Sequence, residues 1–382
     1  MERLYGSQEK DPQRQVVVIT GASAGVGRAV ARAFAGQGAR VALLARGQER
    51  LRAAAREIQH LGGEALVLPT DVASWQQVEA AAQQVERRWG RIDVWINNAM
   101  ATVFSPFTEI APEDYQRVTE VTYLGYVWGT QAALKRMKAQ DHGVIIQVGS
   151  ALAYRSIPLQ SAYCGAKAAI RGFTDSLRSE LIHDGSRVRL TMVQLSAFNT
   201  PQFDWSRSQM ARQAQPLPPI FQPELAASAI VAMSRHPRRE LWVGFPAVKA
   251  IMGNRVLAPW LDRLMARQAY EGQQTDQPRE EGRSDNLYEP LAGDFTAHGR
   301  FDDRAKTFSP QLWLNLNRSW LAASAAVLGG MAYGWYRRRQ AMQSPSSAHL
   351  NLQQERDSLG TSTPPADAEP RPASGFFHRG LH

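Results

Sequence analysis

Seven short runs rich in Val, Ile and Leu recur between residues 15 and 246: QVVVIT, RVALLA, EALVLPT, IDVWIN, GVIIQVG, RLTMVQL and ELWVGF. Longer amphipathic stretches, such as GRAVARAFAGQGA and SWQQVEAAAQQVERRWG, separate most of them. A strand that is apolar at nearly every inner position has no face to offer water, so it must be covered on both sides. Strands of this kind alternating with helices specify a parallel sheet between two helical layers. The expected fold is therefore α/β, a doubly wound parallel sheet of about seven strands over residues 15–246, with a C-terminal helical and extended appendage.

The remaining pieces follow from changes of pattern. Residues 1–14 read as an N-terminal arm. Residues 247–270 form an amphipathic helical segment interrupted by Pro259. Residues 271–310 are polar and read as a linker or extended arm. Residues 311–339 hold an apolar helix in which Trp320–Tyr336 gives 17 uncharged residues, followed by Arg337, Arg338 and Arg339. A membrane span needs about 20 apolar residues. A helix lying in a membrane surface, with Trp313, Trp320, Trp335 and Tyr336 at the boundary and the arginines on anionic headgroups, fits better than a span. A helix docked on protein stays open as the other reading. Residues 340–382 are rich in Ser, Pro and Ala and read as a disordered tail.

Composition limits the setting. Hydrophobic residues make up 44% of the 382 and charged residues 21%, enough for a core without disulfides. The single cysteine, Cys164, suits a reducing compartment. The N-terminus lacks the apolar stretch of a secretory signal, so a cytoplasmic location is expected. The net charge of +9 points to an anionic cofactor or membrane surface. No zinc-finger spacing or basic-aromatic motif is present, so neither nucleic acid nor a metal is expected as a partner.

Two stretches carry chemistry. TGASAGVG follows the first strand directly and opens a helix. Glycines at 21, 25 and 27 let the backbone turn sharply and approach a pyrophosphate, which the helix N-terminus then attracts. In SAYCGAKAAI, Tyr163 and Lys167 stand four residues apart, on one face of a helix. A free phenol has a pKa near 10, and an ammonium one turn away favours the phenolate, so the pair suits acid-base work. Ser150 ends the fifth strand, at the edge where ligands meet an open α/β sheet.

Taken in order, these motifs resemble the short-chain dehydrogenase/reductase family over residues 15 to about 246. TGASAGVG matches its T-G-x-x-x-G-x-G loop, and Tyr163-Cys164-Gly165-Ala166-Lys167 its Y-x-x-x-K. Asp71-Val72, Asn97-Asn98-Ala99 and Ser150 fall at the ends of the third, fourth and fifth strands. The resemblance implies a Rossmann-type sheet in which Ser150, Tyr163 and Lys167 are catalytic. Tyr163 would exchange a proton with the substrate oxygen, Ser150 would hydrogen-bond that oxygen, and Lys167 would also hold the nicotinamide ribose. It further implies a cofactor site made by Gly21, Ser23, Gly25, Val26 and Gly27, by Asp71 and Val72 near adenine, by Asn97, Asn98 and Ala99, and by Thr200 at the nicotinamide amide.

The chain departs from the family in places. Thr122, in VTYLG, stands where the family has an asparagine that binds a relay water behind the lysine. Thr122 is either part of a modified relay or a β-branched core residue. Met100 replaces a usual glycine, and Leu195-Ser196 a usual Pro-Gly. The second strand ends Leu44-Ala45-Arg46-Gly47 with no acidic group to bind a ribose diol. Arg46 suits a 2′-phosphate, which favours NADP(H) over NAD. Within residues 201–222, Phe203, Trp205, Met210, Leu217, Ile220 and Phe221 either cover an apolar substrate or pack on the core. Small Gly165, Ala166, Ala168 and Ala169 imply, by the resemblance, a subunit interface and a homo-oligomer. The function expected is hydride transfer between NADP(H) and a small, apolar alcohol or ketone. The alternative is a non-catalytic dinucleotide-binding scaffold or sensor.

Overall fold

The computed structural model describes residues 14–343 and Arg356. The readings of residues 1–13 and of the tail beyond 343 otherwise lie outside the described residues. The chain divides into two compact units, residues 1–316 and 317–382.

All seven apolar runs become strands of one parallel sheet: β1 (Val16–Thr20), β2 (Arg40–Ala45), β3 (Glu64–Pro69), β4 (Val94–Asn97), β5 (Val144–Ser150), β6 (Arg189–Leu195) and β7 (Glu240–Val243). Their spatial order is β7-β6-β5-β4-β1-β2-β3, with every neighbouring pair parallel. The order of the strands reverses between β1 and β4, where the chain turns to build the other half of the sheet, which opens a crevice at the carboxyl ends of the strands.

Alternate residues of each strand enter two separate cores. Val17 and Ile19 pack with Phe34, Ile58 and Ile230. Val16 and Val18 pack with Val78, Val85 and Trp89 on the opposite face. The first layer is built by α1 (Gly25–Ala35), α2 (Gln48–His60) and α7 (Pro223–Arg235). The second includes α3 (Trp75–Trp89), α4 (Pro112–Thr119), α5 (Gly125–Gln140) and α6 (Ser161–His183). Helix ends follow local chemistry. Ser74 caps α3 by accepting from the Gln77 amide, and Gly90 ends it at φ 81°.

Helix α8 (Phe245–Gly272) bends at Leu257, whose φ/ψ of −123°/28° is non-helical. The cause is Pro259, which removes a backbone donor and clashes with the preceding turn. Beyond α8 the polar stretch is tied down in the first unit. Gln274–Pro278 pairs antiparallel with Arg212–Ala214. Ala305–Lys306 pairs parallel with Ile220–Phe221, which pairs in turn with Ala197–Phe198 just after β6. The short α9 (Pro310–Leu316) places Leu312 in the first core. Gln311 reaches back to the Gly244 amide and the Trp242 carbonyl. The polar stretch is therefore an arm lying across the carboxyl end of the sheet. The second unit contains α10 (Arg318–Gln343).

Candidate active site

Ser150, Tyr163 and Lys167 meet because β5 ends where α6 begins to cross it. Ser150 is buried at the strand end, and its hydroxyl accepts from the Leu152 amide at 3.1 Å. Its side chain lies close enough to the Tyr163 phenol to pull that group's pKa down. Lys167 is 2% exposed, and its Nζ lies 5.6 Å from the Tyr163 ring centroid.

Burial dominates the electrostatics. It pushes the Tyr163 phenol well above its usual pKa, against a smaller downward pull from Ser150. It pulls the Lys167 ammonium down from 10.5 to about 7. The simple expectation, a phenol lowered by its neighbour's charge, is thus reversed here. Desolvation is the largest cause of the shift in both groups. The phenol is held in its neutral form.

The partner of Lys167 is a residue that sequence reasoning missed. Lys167 Nζ donates to Tyr126 Oη at 2.9 Å and to the Val148 carbonyl at 2.8 Å. Tyr126 Oη donates to the same carbonyl at 2.9 Å. Tyr126 lies on α5, four residues after Thr122 and on the same helical face. Thr122 sits in a π-helical turn, Glu120–Leu124. Its hydroxyl donates to the Ala101 carbonyl at 2.8 Å and accepts from the Ala101 amide at 2.9 Å. That hydroxyl hydrogen is committed to the backbone, so Thr122 clamps the loop after β4.

The glycine loop is built for close approach. Gly21 and Gly25 have φ of +66° and +57°. A Cβ on Gly27 would lie 2.2 Å from the Gly21 carbonyl oxygen and 2.6 Å from Asn98 Nδ2, so only glycine fits. Asn98 Nδ2 donates to the carbonyls of Thr20 and Gly21, while the amides of Asn98 and Ala99 donate to Thr20 Oγ1. These two residues hold the loop against β4. Thr200 closes the other side, where a Cβ on Gly25 would stand 3.3 Å from its own Cβ. Val26 packs on the first core and the Ser23 carbonyl accepts from Arg28. Asn97 turns away, into a buried network with Trp95, Thr130 and Gln147.

At the outer end of the crevice, Arg46 donates to the carbonyls of Asn286, Leu287 and Tyr288. Asp71 is held by Arg117 at 2.6 Å, and Val72 is buried in the second core. The glycine cradle, the N-terminus of α1 and the cationic group at the end of β2 fit a dinucleotide. Among the described residues, no group of three or more His, Cys, Asp or Glu side chains could hold a metal ion. Of the apolar residues between β6 and α7, Phe203 packs on Phe104 and Phe301, and Trp205 stacks edge-on against Phe295. Both serve the contact with the arm. Met210 joins the Phe203 cluster, together with Ile220.

A parallel sheet with a glycine loop at its switch point and a serine-tyrosine-lysine group at its carboxyl edge defines an oxidoreductase of the dinucleotide-dependent kind. The chain belongs to the short chain dehydrogenase family, whose model matches residues 15–211. It is 32% identical over 322 residues to the uncharacterized oxidoreductase YxnA of Bacillus subtilis (strain 168), covering 84% of this chain and 89% of that one. That similarity runs past the matched family segment into the appended region. The 11-beta-hydroxysteroid dehydrogenase-like 3 of Arabidopsis thaliana is 34% identical over 184 residues, 47% of this chain and 58% of that one. An alcohol dehydrogenase from the archaeon Thermococcus sibiricus, solved with 5-hydroxy-NADP, superposes with a TM-score of 0.53 at 29% identity, over 60% of this chain and 96% of that one. A metagenomic short-chain oxidoreductase solved with NADP gives 0.51, also at 29% identity and over the same shares of the two chains.

Proposed function

We propose that the protein interconverts a small apolar ketone and its alcohol, using NADP(H). The observation that carries this reading is the Ser150, Tyr163 and Lys167 group at the carboxyl edge of the sheet, with Ser150 and Lys167 buried and Tyr163 half-buried. When bound, the nicotinamide supplies or accepts the hydride. In the reducing direction, Tyr163 donates its phenolic proton to the substrate oxygen as carbon gains hydride. Ser150 hydrogen-bonds the same oxygen and steadies its developing charge. Lys167 lies beside the phenol and is placed to restore its proton. Tyr126 is a positioning residue that holds the ammonium in place.

The choice of NADP(H) rests on Arg46 and on the two NADP-complexed structural relatives. The deciding experiment follows NADPH oxidation against a panel of apolar ketones and aldehydes, with NADH in parallel. Turnover of at least one ketone with NADPH supports the reading. No turnover with either cofactor, from protein shown to bind NADPH, counts against it.

A second feature concerns attachment. No helix among the described residues is long and apolar enough to cross a membrane. On α10, Trp320, Val327, Leu328, Met331 and Trp335 are exposed and fall along one side of the helix. That stripe next to three arginines suits adsorption to an anionic membrane surface on the cytoplasmic side.

A further inference from the structure

The arm after α8 meets the crevice through its backbone. The Arg46 guanidinium donates to three successive carbonyls, those of Asn286, Leu287 and Tyr288. Arg50, one turn into α2, donates to the Leu291 carbonyl and stacks on Phe295 and Trp205, 4.9 and 5.2 Å from their ring centroids. The Gly25 amide, at the first turn of α1, donates to the Thr296 carbonyl at 3.1 Å. Arg28, on the same helix, pairs with the Asp294 carboxylate at 2.5 Å and the Phe295 carbonyl at 2.9 Å. The Leu287 side chain is 1% exposed and joins the apolar cluster containing Leu68, Val72 and Val118.

These partners are the parts of the crevice suited to a nucleotide. A helix N-terminus and two arginines at the β2 end attract phosphate oxygens. The apolar wall beside Asp71-Val72 suits a base. The arm presents carbonyl oxygens and a carboxylate to the first group, and a leucine to the second. The Gly25 amide has one hydrogen, and both terminal nitrogens of Arg46 are engaged, so arm and nucleotide compete for the same donors. Burial holds both Arg46 and Arg50 below the ordinary arginine pKa. Such desolvated cations gain more from an ionised phosphate than from neutral carbonyls, because opposite charges attract more strongly where water is excluded.

We infer that residues 286–296 are an internal occupant of the adenosine half of the cofactor crevice, which a phosphorylated dinucleotide must displace to bind. The inference rests on the dinucleotide reading above and adds to it a reserve on affinity. The crevice is competent only in the fraction of molecules whose arm is lifted, so apparent affinity is reduced by that fraction. Cofactor level then sets the state of the arm, and with it the Trp205 and Phe203 contacts that border the substrate side.

The test measures amide hydrogen exchange of the full chain with and without NADPH, alongside NADPH binding by fluorescence. The variant Leu287→Ser loosens the arm without touching the glycine loop or the catalytic group. Asp294→Asn, a milder change, serves if that variant does not fold. Displacement predicts that NADPH slows exchange at residues 20–28 and speeds it at residues 286–296, and that the loosened variant binds NADPH at least fivefold more tightly. Slower exchange in both segments, or weaker binding by the variant, overturns the inference and leaves the dinucleotide reading standing. If NADPH changes exchange at residues 20–28 in neither protein, the dinucleotide reading fails and the inference falls with it.

Discussion

Lys167 Nζ and Tyr126 Oη are 2.9 Å apart, joined by a hydrogen bond between a buried ammonium and a buried phenol that themselves share the Val148 carbonyl. Phenylalanine at 126 keeps the ring, whose centroid is 4.6 Å from Nζ, and removes the acceptor. A hydrogen bond to a charged group contributes about 1.5–3 kcal/mol. Tyr126→Phe should therefore lower kcat by roughly ten- to a hundredfold. Losing an acceptor also disfavours the charged amine, so the midpoint of the kcat–pH profile should move to lower pH. A slower enzyme with an unmoved profile would reduce Tyr126 to a packing residue.

Tyr163→Phe should abolish detectable turnover, since general acid catalysis alone contributes about 10²–10⁴-fold. NADPH binding by the same variant should stay within a few-fold of wild type, because the ring and its surroundings remain. Lys167→Ala should weaken both. Full activity of Tyr163→Phe on a genuine substrate would remove the phenol from the proposed chemistry.

Burial of Lys167 links stability to pH. Its pKa falls from 10.5 to about 7 on folding, so between those values the unfolded chain holds more protons than the native one. Stability from this group therefore rises as pH climbs from about 7 towards 10.5, and below about 7 the full cost of burying the charge is present. Urea denaturation of wild type and Lys167→Met at several pH values measures it. The wild-type stability should gain on the variant across that window, by up to about one proton's worth of slope. Parallel curves would show the amine stays charged in the native state.

The exposed stripe on α10 predicts flotation of the full chain with vesicles containing anionic lipid, while a chain ending at Leu316 stays behind. High salt should release only part of the bound protein, because apolar burial is not screened. Full-length protein that ignores anionic vesicles at low salt would exclude this attachment.

Some of this molecule is determined by sequence alone. Residues 16–19 are apolar at every position, and the later strands are mostly apolar on both faces, so the two-faced parallel sheet follows from burial. Gly27 and the Tyr163–Lys167 spacing are local signals, complete within one turn of chain. The tertiary structure alone decided the rest. Tyr126 becomes the partner of Lys167 across 41 positions, and only the crossing of α5 and α6 over β5 brings them together. Thr122 finds Ala101 because the loop after β4 offers backbone partners, and Asn97 turns inward because Trp95, Thr130 and Gln147 converge on it; no spacing announces either. The arm is the clearest case. Its polar residues show no periodicity, yet it reaches Arg46 across some 240 positions through backbone carbonyls. Every residue carries a carbonyl, so which ones are used depends on where the chain is led and not on what its side chains are.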